Sequence, residues 1–428
     1  MLNNKAPRPL TVHPTLLAPD GQRRDAPPVI VPAQAFRIVP LAELGALVGT
    51  PFQEGSIQLV FQGQNLVLGA QLEMLDAARS VLLTERLSDA RVALDTPRLE
   101  GVYRLPTGGR STTHFQVAVA NLTDRAVNVT VALDGRDRAN LPGAKLALGP
   151  REARVLDMRA IEGEKLTPEG GVIITSDARG AVRANGLIWN ADGYANTVLF
   201  TNPFTPRTTQ LHANGIRLQL ANGQPLTPYF TLHNFGDEPS RVMGKLFLTL
   251  PLDGAQTEAL PTVTLPPGAT ATVPVGLPPG LRGRVVSAGA EFEYSTMPGT
   301  VAIAGTSESA DGNHVFRVPL LDAETIPSAT GSYPWRVTAT ENTTVYLKNA
   351  TDRALSYHAS LNFPGGQYAL GRRMIGAHQT VAIDVRALRD AQTPDATGNV
   401  IPREATSGQF LWSVHGVDQV HRGAGGVR

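Results

Sequence analysis

Cysteine is absent from the 428 residues, which excludes a disulfide framework, a thiol nucleophile and any cysteine-ligated metal. Lysine is scarce: of 38 basic residues only Lys5, Lys145, Lys165, Lys245 and Lys348 are lysine, which leaves 33 arginines. Most of the arginines stand singly between apolar positions, so the bias reads as genomic, from a GC-rich bacterium, and not as a binding surface. Acidic residues number 37, for a formal net charge of +1. That balance gives no electrostatic ground for a nucleic-acid or anionic-membrane partner. No run of 18 apolar residues occurs, so no membrane span is expected. The opening MLNNKAPRPLTVHP lacks the basic start and apolar stretch of a secretory signal. H-E-x-x-H, G-x-S-x-G and Walker loops are also missing, and no catalytic residue, cofactor or metal is expected.

What is present is material for many short strands. Apolar residues make up 42% of the chain, and 42 glycines and 33 prolines punctuate it, the composition of strands joined by tight turns. A landmark asparagine recurs at Asn4, Asn121, Asn234 and Asn349, in LNNKAPRPLTV, VANLTDRAVNV, LHNFGDEPSRV and LKNATDRALSY. Each string reads as strand, polar turn, strand. Val127, Val129, Val131 and Leu133 alternate on one face, as do Leu355, Tyr357, Ala359 and Leu361, the period of a half-buried strand.

Three further landmarks follow each asparagine. The second is a Gly/Pro turn and strand: VPAQAFRIVPL, LGPREARVLDM, LPPGATATVPV and IGAHQTVAIDV. In three copies helix-compatible residues come next (LAELGAL, MRAIEGEKL, VRALRDAQ); in the third copy the adjacent Pro278 and Pro279 forbid a helical turn. The third landmark is EGSIQLVF, EGGVIITS, LRGRVVSA and TSGQFLWSV. The fourth, in three copies, is a hairpin turning near Asp76, Asp192 and Asp311.

About seven strands per unit, with turns about every 8–12 residues, predict an all-β chain of tandem immunoglobulin-like antiparallel β-sandwich repeats of roughly 115 residues. The expected divisions are 1–95, 96–205, 206–322 and 323–428. The first is incomplete at its N-terminal side and the last at its C-terminal side. Joins are expected near 88–113, 204–226 and 321–340, which are rich in Pro, Gly, Thr or Asn. If the end repeats lack strands, Val12, Leu16, Phe410 and Trp412 should lose cover, and self-association through open end strands follows.

The repeated strand–Asn–turn–strand units resemble the tandem Ig-like domains of bacterial surface and secreted proteins of the cell-adhesion-related type. That resemblance implies a non-enzymatic structural or adhesion scaffold, extracellular or at the cell surface, with a protein or polysaccharide surface as partner. The alternative is a polysaccharide-binding module array, and a hydrolase with a site between domains is a third reading.

Individual residues offer little chemistry on their own. His13 and His358 share one repeat position and read as strand-face residues. Glu291 and Glu293 lie two apart in AEFEY and read as a solvent-facing row. NADGYAN and SADGNH could offer calcium oxygens, but Asp-Gly is also what a tight turn needs. Asn121 and Asn349 begin N-x-T sequons, whereas Asn4 and Asn234 hold the same place without one; an Asx-type turn explains all four. Trp189 and Trp412 read as core. Trp335, in SYPWRV beside the fourth repeat, is the candidate ligand-binding or domain-interface aromatic.

Overall fold

The computed structural model describes all residues except 20, 48–54, 64–66, 77–80, 88–94, 107–111, 136–143, 163–165, 221, 252–253, 282, 286, 325–328, 340 and 416–428. The GAGGVR tail lies outside the described residues. Every strand pairing among the described residues is antiparallel, and the chain is all-β apart from short helices.

One pairing scheme recurs around each landmark asparagine. The asparagine strands Leu2–Asn4, His114–Asn121, Leu226–Asn234 and Thr344–Lys348 pair with the strands of the second landmark. The strands that follow, Leu10–Leu17, Val127–Asp134, Ser240–Thr249 and Leu355–Phe363, pair with those of the third. The return hairpins pair with the asparagine strand in the first three copies. The alternating residues named above all face inward: Val127, Val129, Val131 and Leu133 are buried, and so are Leu355, Tyr357, Ala359 and Leu361.

Burial is correspondingly divided. One cluster runs from Leu99 to Phe200, a second from Ala213 to Val318 and a third from Trp335 to Phe410. Two smaller clusters, around Val12 and Val31 and around Leu16 and Leu44, serve the N-terminal stretch. Helices form where the sequence allows them, at Leu41–Leu47, Met158–Glu162 and Val385–Ala391; the third copy has only a 3-10 turn at Pro279–Leu281.

Each landmark asparagine acts as a clasp. The Nδ2 of Asn121 donates to the carbonyls of Arg125 (2.6 Å) and Gly149 (2.8 Å), while its Oδ1 accepts from the Thr123 amide at 2.9 Å. Asn4 does the same with Arg8, Pro32 and Ala6, and Asn349 with Arg353, Gly376 and Thr351. Asn234 uses Glu238, Leu265 and Gly236. The Oδ1 contact is the expected Asx turn. The Nδ2 contacts tie that turn to a second one about 27 residues on, which itself carries a left-handed residue in every copy: Gln34, Arg151, Gly268 and His378.

Three expectations change. In an immunoglobulin sandwich the leading strand lies beside the second strand of the domain. Here Arg98–Arg104, Gln210–Ile216 and Thr330–Arg336 lie beside the third-landmark strand, and the return hairpin takes the place beside the asparagine strand. Alternation sets which face of a strand is buried, not its neighbours in the sheet. Second, each expected join contains one of those leading strands. Gly331 and Pro334 give a paired strand the composition of a linker. Third, Val12, Leu16 and Phe410 are fully buried. Leu16 is covered by Ala26 and Leu44, and the Phe410 strand is flanked on both sides by Thr330–Arg336 and Leu355–Phe363.

Candidate functional site

Polar contacts between successive clusters hold most of the ionisable chemistry. Between the first two large clusters, His233 is completely buried and Asp134 nearly so, with Nε2 at 3.0 Å from the Asp134 carboxylate. The Thr270 hydroxyl lies 2.7 Å from Nδ1. Both ring nitrogens are thus satisfied, Nε2 by Asp134 and Nδ1 by the Thr270 hydroxyl. The row Asp134–His233–Thr270 has the order of a nucleophile-activating triad. The ring is sealed from solvent, however, under Phe235, whose ring centroid lies 4.3 Å away, and against Gly171.

Between the second and third large clusters, Glu291 gathers three basic side chains. His378 Nδ1 stands at 2.8 Å, Lys348 Nζ at 3.0 Å and His212 Nδ1 at 3.1 Å, the last without the alignment of a hydrogen bond. Burial pushes the Glu291 carboxyl up, but His212, Lys348 and His378 together outweigh it and bring the pKa down to about 2. Burial also lowers Lys348, in spite of Glu291. His378 reaches this position from a left-handed backbone, φ 56°, where its repeat counterpart is a glycine in the third copy. Glu293 is exposed as expected, but Glu291 is not solvent-facing: the fourth stretch of chain covers it.

The N-terminal stretch is joined at both sides. The Ala153 amide donates to Pro19 O at 3.1 Å. Gln409 Nε2 donates to Asn4 O at 3.1 Å and to Asn3 Oδ1, and Arg336 pairs with Glu73 at 3.2 Å. The first and last strands of the described chain therefore touch.

A cavity of about 380 Å³ opens between the first two large clusters. It is lined by the two Asp-Gly turns that the sequence marks, Asn190–Tyr194 and Ser309–Asn313, facing one another. The turns are self-braced. Asn190 Oδ1 accepts from the Asp192 and Tyr194 amides, and Asp311 Oδ1 accepts from the Asn313 amide and the Ser309 hydroxyl. On the floor, Arg104 pairs with Glu308, and its guanidinium lies 4.3 Å over the Tyr229 ring. Arg104 Nε is buried without a hydrogen-bond partner. Burial pushes the Tyr194 phenol up, and its hydroxyl donates to Arg104 O at 3.4 Å. No group of three His, Asp or Glu side chains suited to a metal occurs among the described residues.

The tryptophans change places. Trp335 is completely buried in the third large cluster, and its indole N–H donates to Asn362 O at 3.2 Å. It presents no face to a ligand in this structure; the neighbouring Arg336 makes the contact with the N-terminal stretch. Trp189 is half-buried on the outer face and stacks on His114 at 4.1 Å, because alternation sends Ile188 inward. Trp412 is half-buried and packs against the third large cluster. His13 and His358 lie exposed on strands. Asn121 and Asn349 are buried and use their amides in the clasp. Sequence reasoning missed Arg104, Glu308, His233 and His378, whose partners are distant in the chain. The only early signal was the pair of Asp-Gly turns. Searches against protein-family models and curated proteins return no match for this chain.

Proposed function

We propose that this chain is a non-enzymatic structural and adhesion scaffold of a bacterial surface or secreted protein, built from four tandem β-sandwich repeats of roughly 115 residues bounded near 95, 205 and 322. The observation that carries this reading is the asparagine clasp, repeated four times with the same donors and acceptors. The same fold unit is used in series, and polar contacts brace each unit against the next. Braced units in series transmit force and hold a fixed spacing between surfaces, the task of a stalk or adhesin arm. The ion pairs and the sealed His233 serve the junctions in this reading. Its localisation is extracellular or at the cell surface. The test is retention of beads coated with the chain on bacterial cell layers and on polysaccharide-coated surfaces under flow. Retention above that of albumin-coated beads supports the proposal, and equal retention on every surface overturns it.

A further inference from the structure

We propose that the cavity between the Asn190–Tyr194 and Ser309–Asn313 turns binds an uncharged saccharide. This inference stands apart from the scaffold reading: it needs the cavity only, whatever the chain does as a whole.

Size and position come first. A cavity of about 380 Å³ is within the range of small-ligand sites, and ligand sites favour the space between packed units. Its two walls are the return-hairpin turns of successive stretches, so the space exists only when these are packed together.

Charge narrows the ligand. Among the described residues, Asp192, Glu308 and Asp311 line the space against one cation, Arg104, a formal balance of two negative charges. An anionic ligand is disfavoured there. A metal cation lacks a three-carboxylate or histidine cluster among the described residues and would meet the Arg104 guanidinium. A neutral polyhydroxylated ligand suffers neither penalty.

Hydrogen bonding points the same way. Arg104 is nine-tenths buried, stacked on Tyr229 and held by Glu308, yet its Nε has no acceptor. A buried donor without a partner is uncommon and calls for one. A sugar hydroxyl or ring oxygen is such an acceptor. On the two facing turns the Asp192 and Asp311 carboxylates are acceptors, and they suit sugar hydroxyls that donate. The backbone of both turns is already satisfied by Asn190 and Asp311, so the rim is formed before any ligand arrives. Tyr229 and Pro106 supply the small apolar area on which the C–H face of a sugar packs.

The test is calorimetric titration of the full chain with maltose, cellobiose, lactose and chitobiose, and separately with calcium chloride. Saturable binding of at least one neutral disaccharide is expected. Asp192→Ala, at an exposed position, should weaken it about tenfold. Asn313→Trp, also exposed, should abolish it by filling the mouth. Arg104→Gln should abolish it too, but that change leaves Glu308 buried and unpaired and can unfold the junction. The two exposed variants therefore decide, each with an unchanged melting curve. No saturable binding of any disaccharide, calcium binding in its place, or disaccharide binding that survives Asn313→Trp would each overturn the proposal. A scaffold that fails the bead test but binds saccharide leaves the cavity intact as a site, and the converse result separates the two in the other direction.

Discussion

Substituting the clasp asparagine by aspartate separates two accounts of the repeat. As a plain Asx turn, position 121 needs only an acceptor, and an aspartate side chain would serve as well as the native amide. The structure gives Asn121 a second task, because its Nδ2 donates to Arg125 O at 2.6 Å, to Gly149 O at 2.8 Å and more distantly to Leu148 O at 3.4 Å. In Asn121→Asp those carbonyls face a carboxylate oxygen. Arg125 O keeps the Thr123 hydroxyl at 3.0 Å and Gly149 O keeps the Glu152 amide at 3.2 Å, but the buried carboxylate oxygen that replaces Nδ2 faces only acceptors. Leaving a buried polar group unpaired costs about 1–3 kcal/mol, and more where charge is involved. The expected loss for Asn121→Asp is thus about 3 kcal/mol, at least equal to that of Asn121→Ala. The same requirement explains why all four positions carry asparagine and none aspartate. Hydrogen exchange resolved by peptide is the suitable assay, since separate cores need not melt as one transition. Protection of 114–121 and 127–134 should fall, while 226–234 and 355–363 change little. If Asn121→Asp stays within about 0.5 kcal/mol of the parent, a range typical of inconsequential surface changes, the donor role is wrong.

Acidification should open the contact between the second and third large clusters. Glu291 has a folded-state pKa of about 2 against an ordinary 4.5, so its contribution is complete above about 4.5 and is lost as pH falls toward about 2. Exchange in 378–384 should rise across that window, and an identical acid profile in Glu291→Gln would exclude the mechanism. Gly171→Ala places a Cβ 2.5 Å from His233 Nε2 and 2.7 Å from Phe235. It should loosen the sealed junction and expose 204–209 to protease; unchanged cleavage would show that the junction tolerates the methyl group. Trp335→Ala empties the centre of the third large cluster and should cost about 3–5 kcal/mol. The loss should appear in denaturation followed by Trp412 fluorescence, and a variant of parental stability would contradict the core placement.

Local patterns in the sequence carried as far as local physics reaches. Period-two alternation placed Val127 to Leu133 and Leu355 to Leu361 on buried faces, because each strand's own pleat decides that. Pro278 and Pro279 excluded a helix in the third copy, because ring geometry acts within a turn. The asparagine was legible as a turn former, but its amide donors were not, since their targets lie about 27 residues away. Neighbouring tryptophans were misjudged for a related reason. Trp189 sits in an apolar run, GLIWN, but the strand sends Ile188 inward and leaves the indole outside. Trp335 follows a proline in a stretch with linker composition, and that stretch is a paired strand at the heart of a core.

The outward faces of these strands held the least legible information. Glu291 alternates with Phe292 as an outward residue should, and the local reading of its face is right. It becomes half-buried because Lys348 and His378 arrive from far along the chain to meet it beside His212, with His378 lying 87 residues later on a left-handed turn. Asp134 and His233 are separated by 99 positions, and Arg104 and Glu308 by 204. No period or spacing links such pairs, because the rigid packing of one cluster on the next sets their meeting. A solvent-facing polar row on the strands of one cluster and another on those of its neighbour become a buried network when the two are packed together. The same packing brings Lys348 and His378 onto Glu291 beside His212, which lowers its pKa against the opposing effect of burial, and it strands the Nε of Arg104. Any ligand chemistry in this chain is therefore expected at junctions, where outward faces meet, and not within the core clusters, whose interiors are filled by their own alternating side chains.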